Sequence, residues 1–183
     1  MNSINTNKYI MLGLLSQSPK TGYEIKQMID VNFDYYWKIG YNQIYPYLKQ
    51  LVEDNYATKE NKESVKGPNQ IIYSITNKGL NKYIEWLKED IKTIPTFKNE
   101  VLVKLNFGSS TDISSNINLI NHFKETVLMR LESIKNIKEN VNSKWDNHPN
   151  KIYWNLVLNY GISISEAELV WCNESIGILG ANE

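Results

Sequence analysis

The sequence predicts a mainly α-helical chain with one small β-hairpin, in two parts, residues 1–92 and residues 93–183. Three observations carry this expectation. Apolar residues recur three and four apart through most of the chain. The period changes only after Asn55, where YATKEN and QIIYSIT, short and rich in Tyr, Thr and Ile, flank the turn-prone SVKGPN. Pro95 with Thr96 then marks a break, beyond which the pattern is helical again.

In the first part, Ile10, Met11, Leu14 and Leu15 place a helix between Thr6 and Ser16, stopped by Ser18-Pro19. Thr21 and Glu24 have the spacing of a capping box, which opens a second helix through Tyr23, Ile25, Met28 and Ile29. The looser VNFDYYWKIG leads to a third helix, YNQIYPYLKQLVEDN, on which Ile44, Leu48, Leu51 and Val52 share one side. Pro46 bears on where that helix starts. A proline removes a backbone donor and crowds the preceding turn, so the start is expected between Gly40 and Asn42, leaving Pro46 in or just after the first turn. The hairpin follows, and Thr76 caps a fourth helix with an expected buried stripe of Leu80, Tyr83, Ile84 and Leu87.

In the second part a short helix is expected from Phe97 to Phe107, closed by Gly108. Thr111 or Asp112 caps the next element. Ile117, Ile120, Val127, Leu131, Ile134, Val141 and Trp145 lie near a three-four repeat, interrupted by Lys124 and Lys138, which reads as a long helix with an imperfect coiled-coil seam. DNHPN breaks it, and a returning helix from Lys151 to about Ser175 carries Ile152, Leu156, Tyr160, Ala167 and Trp171. Two such helices cannot bury wide apolar stripes against each other alone. A second copy of the chain is therefore expected to complete the core, making this part a helical, coiled-coil-like dimerisation domain.

Composition narrows the function. Lys plus Arg and Asp plus Glu each number 20, with a single arginine, Arg130. That balance argues against coating nucleic acid or membrane by bulk charge, so any nucleic-acid contact is local. Residues 1–92 hold 12 Lys against 10 acidic residues, an excess of the right sign but small. The single Cys172 forms no internal disulfide and finds no zinc-site spacing with His122 and His148, so a reducing compartment without a metal or cofactor is expected. No apolar run approaches the roughly 18 residues that span a bilayer, and no cleavable leader is evident; a cytoplasmic location without a membrane partner is expected. No nucleophile-base pair, phosphate-binding glycine loop or paired-acid motif appears, and no enzymatic activity is expected.

A helix, a turn, a second helix, a third helix and a hairpin follow the order of a winged helix-turn-helix, whose third helix enters the major groove while the wing reaches the flanking backbone. The same topology serves protein docking, which is the rival expectation. Helical steps of about 100° place Asn42, Gln43, Pro46, Lys49, Gln50 and Glu53 opposite the apolar side of the third helix. Asn and Gln pair with the N6 and N7 edge of adenine, so Asn42 and Gln43 are candidates for base reading. Tyr41 and Tyr45 offer hydroxyls to phosphates. Lys49 and Gln50, Tyr23 and Lys26 on the second helix, and Lys62, Lys66 and Asn69 in the wing complete the DNA-binding candidates. Lys59 adds positive charge to the wing, while Glu60 and Glu63 dilute it. Tyr153 and Trp154, beside the DNHPN turn, are candidates to line a cavity for a planar aromatic effector.

Each has a plainer reading. Asn42 serves equally as an N-cap, Gln43 and the wing lysines as solvated surface, Trp145 and Trp171 as seam packing, Cys172 as a small buried residue, and His122 and His148 as surface or capping groups.

The stretches GLLSQSPKTGYEIKQMI, GYNQIYPYLKQLVEDNY and GPNQIIYSITNKG resemble the N-terminal domain of PadR-type transcriptional regulators, and YWNLVLNYGISISEAELVWCNESI resembles the helical C-terminal domain of its longer members, with Trp171 at the matching position. The resemblance implies a dimeric, ligand-responsive repressor whose C-terminal helices and first helix build the dimer and whose effector changes the spacing of the two wings. Known members control genes for phenolic-acid decarboxylation or drug efflux. The family's wing usually carries several Arg or Lys after its Gly-Pro, whereas Asn69, Gln70, Ile71 and Ile72 follow here. A larger share of DNA affinity is therefore expected from the helix.

Overall fold

The structure, a computed structural model, describes residues 3–33, 36–62, 70–91 and 98–182. The chain forms two compact units, Met1–Pro95 and Thr96–Glu183. The first contains α1 (Ser3–Gln17), β1 (Lys20–Thr21), α2 (Gly22–Asn32), α3 (Tyr41–Glu53), β2 (Ala57–Lys62), β3 (Gln70–Ile75) and α4 (Asn77–Leu87). Met11, Leu12 and Leu15 of α1, Ile25 and Ile29 of α2, and Ile44, Leu48 and Leu51 of α3 are buried together as its core.

The capping box forms as expected: the Thr21 N–H donates to Glu24 Oε2 at 2.7 Å, and the Glu24 N–H donates to Thr21 Oγ1 at 3.2 Å. The Thr21 N–H bond first, and then the Thr21 hydroxyl, which donates to the same Oε2 at 2.9 Å, hold the Glu24 carboxyl below its usual range. The wing is more than a hairpin. It is an antiparallel sheet of order β1-β3-β2, with Lys20 opposite Tyr73 and Lys59 opposite Tyr73 on the other side. A strand of two residues has no periodicity to read; β1 exists only because β3 offers it a free edge.

The third helix starts at Tyr41 with Gly40 as N-cap, inside the expected window. Pro46 is its sixth residue, so the proline removes one intrahelical bond, to the carbonyl of Asn42, which lies on the exposed side. The helix ends in a Schellman motif: Tyr56 N–H bonds Leu51 O at 2.8 Å and Asn55 N–H bonds Val52 O at 3.1 Å. Asn55, at φ 57°, supplies the left-handed turn that redirects the chain into β2.

The stripe expected on α4 is corrected. Leu80 and Tyr83 are half-buried, but Ile84 and Leu87 are exposed. A Cβ on Gly79 would stand 2.0 Å from the Tyr56 carbonyl oxygen, so α4 meets the chain backbone at this glycine. That close approach turns Gly79, Tyr83 and Trp86 inward, and Trp86 stacks on Tyr9 of α1 at 4.7 Å.

The second unit holds α5 (Glu100–Asn106), a 3-10 turn (Gly108–Ser110), α6 (Ile113–Lys144) and α7 (Lys151–Gly180). Asn99 caps α5, its side chain accepting the Val101 N–H, while Phe97, the expected start, lies outside the described residues. Gly108 does not close α5 in the left-handed form; among the described glycines none has positive φ. It begins the 3-10 turn instead, and its carbonyl accepts from Asn116 Nδ2 at 2.9 Å. Asp112 is the N-cap of α6, accepting from the Ser115 N–H at 2.7 Å.

Helices α6 and α7 run antiparallel, joined by contacts from Arg130 to Ser165 and from Lys138 to Asn159. The α6 seam is as expected at Ile120, Val127, Leu131 and Ile134, all buried, but Trp145 at its end is half exposed. The α7 stripe is corrected: Ile152, Leu156, Tyr160 and Ala167 are exposed, and the buried positions are Leu158, Gly161, Ser165 and Cys172. The small residues Gly161 and Ser165 are buried on the side of α7 that meets Arg130 of α6. There Arg130 Nε donates to Ser165 Oγ at 3.2 Å, and its guanidinium pairs with Glu168. Trp171 packs edge-on against Phe123 at 6.2 Å, and Cys172 is fully buried, its thiol pushed up by burial.

Candidate nucleic-acid interface

The junction of α2 and α3 is set by one glycine. A Cβ on Gly22 would come 2.7 Å from Tyr45 Cε1, so the missing side chain at the start of α2 is what lets the Tyr45 ring of α3 lie against it. With Ile44, Leu48 and Leu51 buried, α3 presents Tyr41, Asn42, Gln43, Tyr45, Pro46, Lys49 and Gln50 as one exposed face. The amphipathic pattern is what exposes them: burying the apolar side leaves the amide-rich side outward.

The aromatic and charged groups on this surface are tied to one another. The Tyr41 and Tyr45 rings meet edge-on at 5.8 Å, and the hydrogen bond with Tyr41, followed by burial, raises the Tyr45 phenol above its usual range. Lys26 is half-buried, its Nζ 3.1 Å from Asp30 and 5.6 Å from the centre of the Tyr41 ring. Lys49 Nζ lies 3.7 Å from Glu53. Tyr23 is exposed and its hydroxyl accepts from Gln27 Nε2 at 3.1 Å. Lys62 is exposed at the end of β2, while Lys66 and Asn69 lie outside the described residues. The face is thus mostly neutral and polar, and its helical cations are each held beside an acid one turn away.

Two grooves flank Tyr45. One, of about 610 Å³, is lined by Gly22, Tyr23, Gln27, Gln70 and Tyr73; the other, of about 640 Å³, by Pro46, Lys49, Lys59 and Tyr73. Gln27 and Tyr73 were not among the sequence candidates, and Lys59 was read only as wing charge. Their place depends on pairing: Lys59 stands opposite Tyr73 in the sheet, which brings a wing lysine beside Lys49 of α3. No spacing along the chain announces that register.

The two effector candidates are not brought together. Tyr153 is exposed, whereas Trp154, the next residue round the helix, stacks on His148 at 4.5 Å and meets Trp145 edge-on at 6.0 Å. His148 Nδ1 accepts the Asn150 N–H at 3.1 Å, so its imidazole closes the turn before α7. Among the described residues, no group of three or more His, Cys, Asp or Glu side chains is placed to hold a metal, and no helix is long and apolar enough to cross a membrane.

Comparison with known proteins follows the two units. Residues 11–85 match the family model for the transcriptional regulator PadR-like family, and residues 97–180 match that for the virulence activator alpha C-terminal region. The negative transcriptional regulator PadR of Bacillus subtilis is 28% identical over 102 residues, a match that spans 56% of this chain and 56% of that protein. The structure of Bacillus subtilis PadR in complex with operator DNA superposes with a TM-score of 0.84 at 23% identity, covering 94% of this chain and 98% of that one. The same protein in complex with p-coumaric acid gives 0.79 at 22% identity, with 94% and 98% covered. At these identities the structural likeness speaks for the fold. With a winged N-terminal unit matching the one model and a helical C-terminal unit matching the other, the chain carries a PadR-like transcriptional-regulator domain at residues 11–85 and a second matched region at residues 97–180.

Proposed function

We propose that this protein represses transcription by binding operator DNA as a homodimer through α3, and that a small aromatic effector modulates the binding. The observation that carries the reading is the exposed face of α3, where Asn42, Gln43 and Gln50 offer amides suited to adenine edges around Pro46. Tyr41, Tyr45 and Lys49 flank them as phosphate contacts. Tyr23 and Lys26 serve the same backbone from α2, and Lys62, Lys66 and Asn69 from the wing. The Bacillus subtilis relative, a negative regulator solved with operator DNA and with p-coumaric acid, supports the direction of control and the class of effector.

The homodimer rests on α7. Its 30 residues include only Lys151, Glu166, Glu168 and Glu174 as charges, and Ile152, Tyr153, Leu156, Val157, Tyr160 and Val170 are exposed. A helix apolar on all sides is normally covered, and a second copy of the same helix covers this one. Two α3 helices then meet successive major grooves about 34 Å apart on a partly palindromic operator. For the effector, Trp154 with Trp145 and His148 offers planar stacking surface, while Tyr153 belongs to the exposed face of α7.

The test is a gel shift on a duplex selected from a randomised library by the wild-type protein. Alanine at Asn42, Gln43 and Lys49 together abolishes the shift; an unaltered shift sinks the reading and leaves protein docking in its place. Adding p-coumaric acid to the wild-type complex releases DNA.

A further inference from the structure

Asn7 of α1 is only 6% exposed, an uncommon place for an amide. Its Oδ1 accepts from Trp37 Nε1 at 2.7 Å and its Nδ2 donates to the Tyr47 hydroxyl at 3.3 Å. The orientation is not arbitrary. An indole N–H only donates, so it must face the amide oxygen, and this leaves the amide nitrogen for the phenol. One side chain thereby ties together α1, the segment that leads into α3, and α3 itself. Its neighbour Lys8 adds a second tie, to Asp54 at the C-terminal end of α3, at 3.3 Å.

Stability alone does not call for this arrangement. A buried amide satisfied at both ends does little better than an apolar side chain packed among apolar partners, so the whole cluster could be apolar at no loss of stability. What the amide adds is direction. Tyr47 lies one turn from both Gln43 and Gln50, so the angle at which Tyr47 is held sets the angle at which they are offered. With side chains at about 5–6 Å from a helix axis, a rotation of about 10° displaces their tips by about 1 Å, enough to spoil a bidentate hydrogen bond.

We infer that Asn7 is a positioning residue for DNA reading: through Tyr47 and Trp37 its carboxamide holds α3 in the rotational setting that its outward amides require. The inference rests on the proposed reading of DNA by α3. Operator discrimination therefore depends on a residue that touches no DNA.

The experiment measures affinity for the selected duplex and for an unrelated duplex at one salt concentration, with melting followed by circular dichroism. Asn7→Leu, which leaves Trp37 Nε1 without its acceptor, is expected to melt below the wild-type temperature yet remain folded, and to bind the unrelated duplex within about twofold of wild type, the ordinary scatter of independent sites. Its preference for the selected duplex falls by about tenfold, the size of one misaligned bidentate contact. Tyr47→Phe, which removes only the hydroxyl, loses about threefold, the size of one neutral hydrogen bond. The double variant is no worse than Asn7→Leu. If Asn7→Leu does not fold, Tyr47→Phe and Trp37→Phe decide by the same ratio. Preference unchanged in the folded variants, or affinity falling equally for both duplexes, overturns the inference. Alanine at Asn42 and Gln43 is the control: if that variant keeps the preference, DNA reading by α3 has itself failed, and if it loses the preference while Asn7→Leu does not, only the role of Asn7 has.

Discussion

Gly22 and Tyr45 illustrate how much one atom decides. Gly22→Ala places a Cβ against the Tyr45 ring, and because that ring is exposed it swings aside rather than blocking the fold. The expected cost is about 1–3 kcal/mol, read as a lower urea midpoint. Nothing in the sequence marks Gly22 for this role beyond its place after a helix cap; the constraint comes from a side chain more than twenty positions away. The caps themselves were legible, since Thr21 with Glu24 and Asp112 with Ser115 are local devices.

Those caps also imply a pH response. The Glu24 carboxyl is lowered from its ordinary 4.5 by the Thr21 backbone and side chain, and that of Asp112 is lowered from 3.8 by Ser114 and Ser115. Both titrate lower folded than unfolded. The stability they contribute is complete above the unfolded values and is lost as pH falls through the folded ones. Glu24→Gln with Asp112→Asn should therefore flatten the acid limb of a stability-against-pH curve below pH 4.5, while changing the limb above pH 7 little.

At the scale of elements, α3 combines a helix-unfavourable residue with an exposed working face. Pro46→Ala restores an N–H to the Asn42 carbonyl and is expected to raise stability by up to about 3 kcal/mol, while weakening preference for the selected duplex. A denaturant midpoint that falls instead would show that the proline fits its surroundings better than alanine. The boundaries of α3 were readable because proline and glycine act locally. The burial of α4 and α7 was not. On α7 apolar residues occupy every side, so periodicity offers two stripes and cannot choose between them. The choice is made by Arg130, which finds Ser165 and Glu168 only when the side of α7 that buries Gly161 and Ser165 faces inward.

For the whole molecule, the uncovered stripe on α7 and the modest charge each lead to a measurement. Leu156→Glu with Tyr160→Glu, both at exposed positions, should leave the helix content of the chain intact and shift sedimentation from dimer to monomer. A dimer that persists would place the interface elsewhere. With Lys26 and Lys49 already beside acids, DNA binding should weaken only moderately with salt. A log–log slope of about −9 or steeper, equivalent to ten or more phosphates on B-DNA, would contradict that expectation.

The order of the helices and the hairpin, the caps at Thr21 and Thr76, the outward amides of α3 and the resemblance to PadR-type regulators were all determined by the sequence by itself, because each depends on residues within a few turns of one another. Tertiary structure alone decided the β1 strand, the inward sides of α4 and α7, the separation of Tyr153 from Trp154, and the burial of Asn7 between Trp37 and Tyr47. These depend on contacts between segments distant in the chain, such as the close approaches at Gly22 and Gly79, and a local period carries no record of which distant surface will meet it.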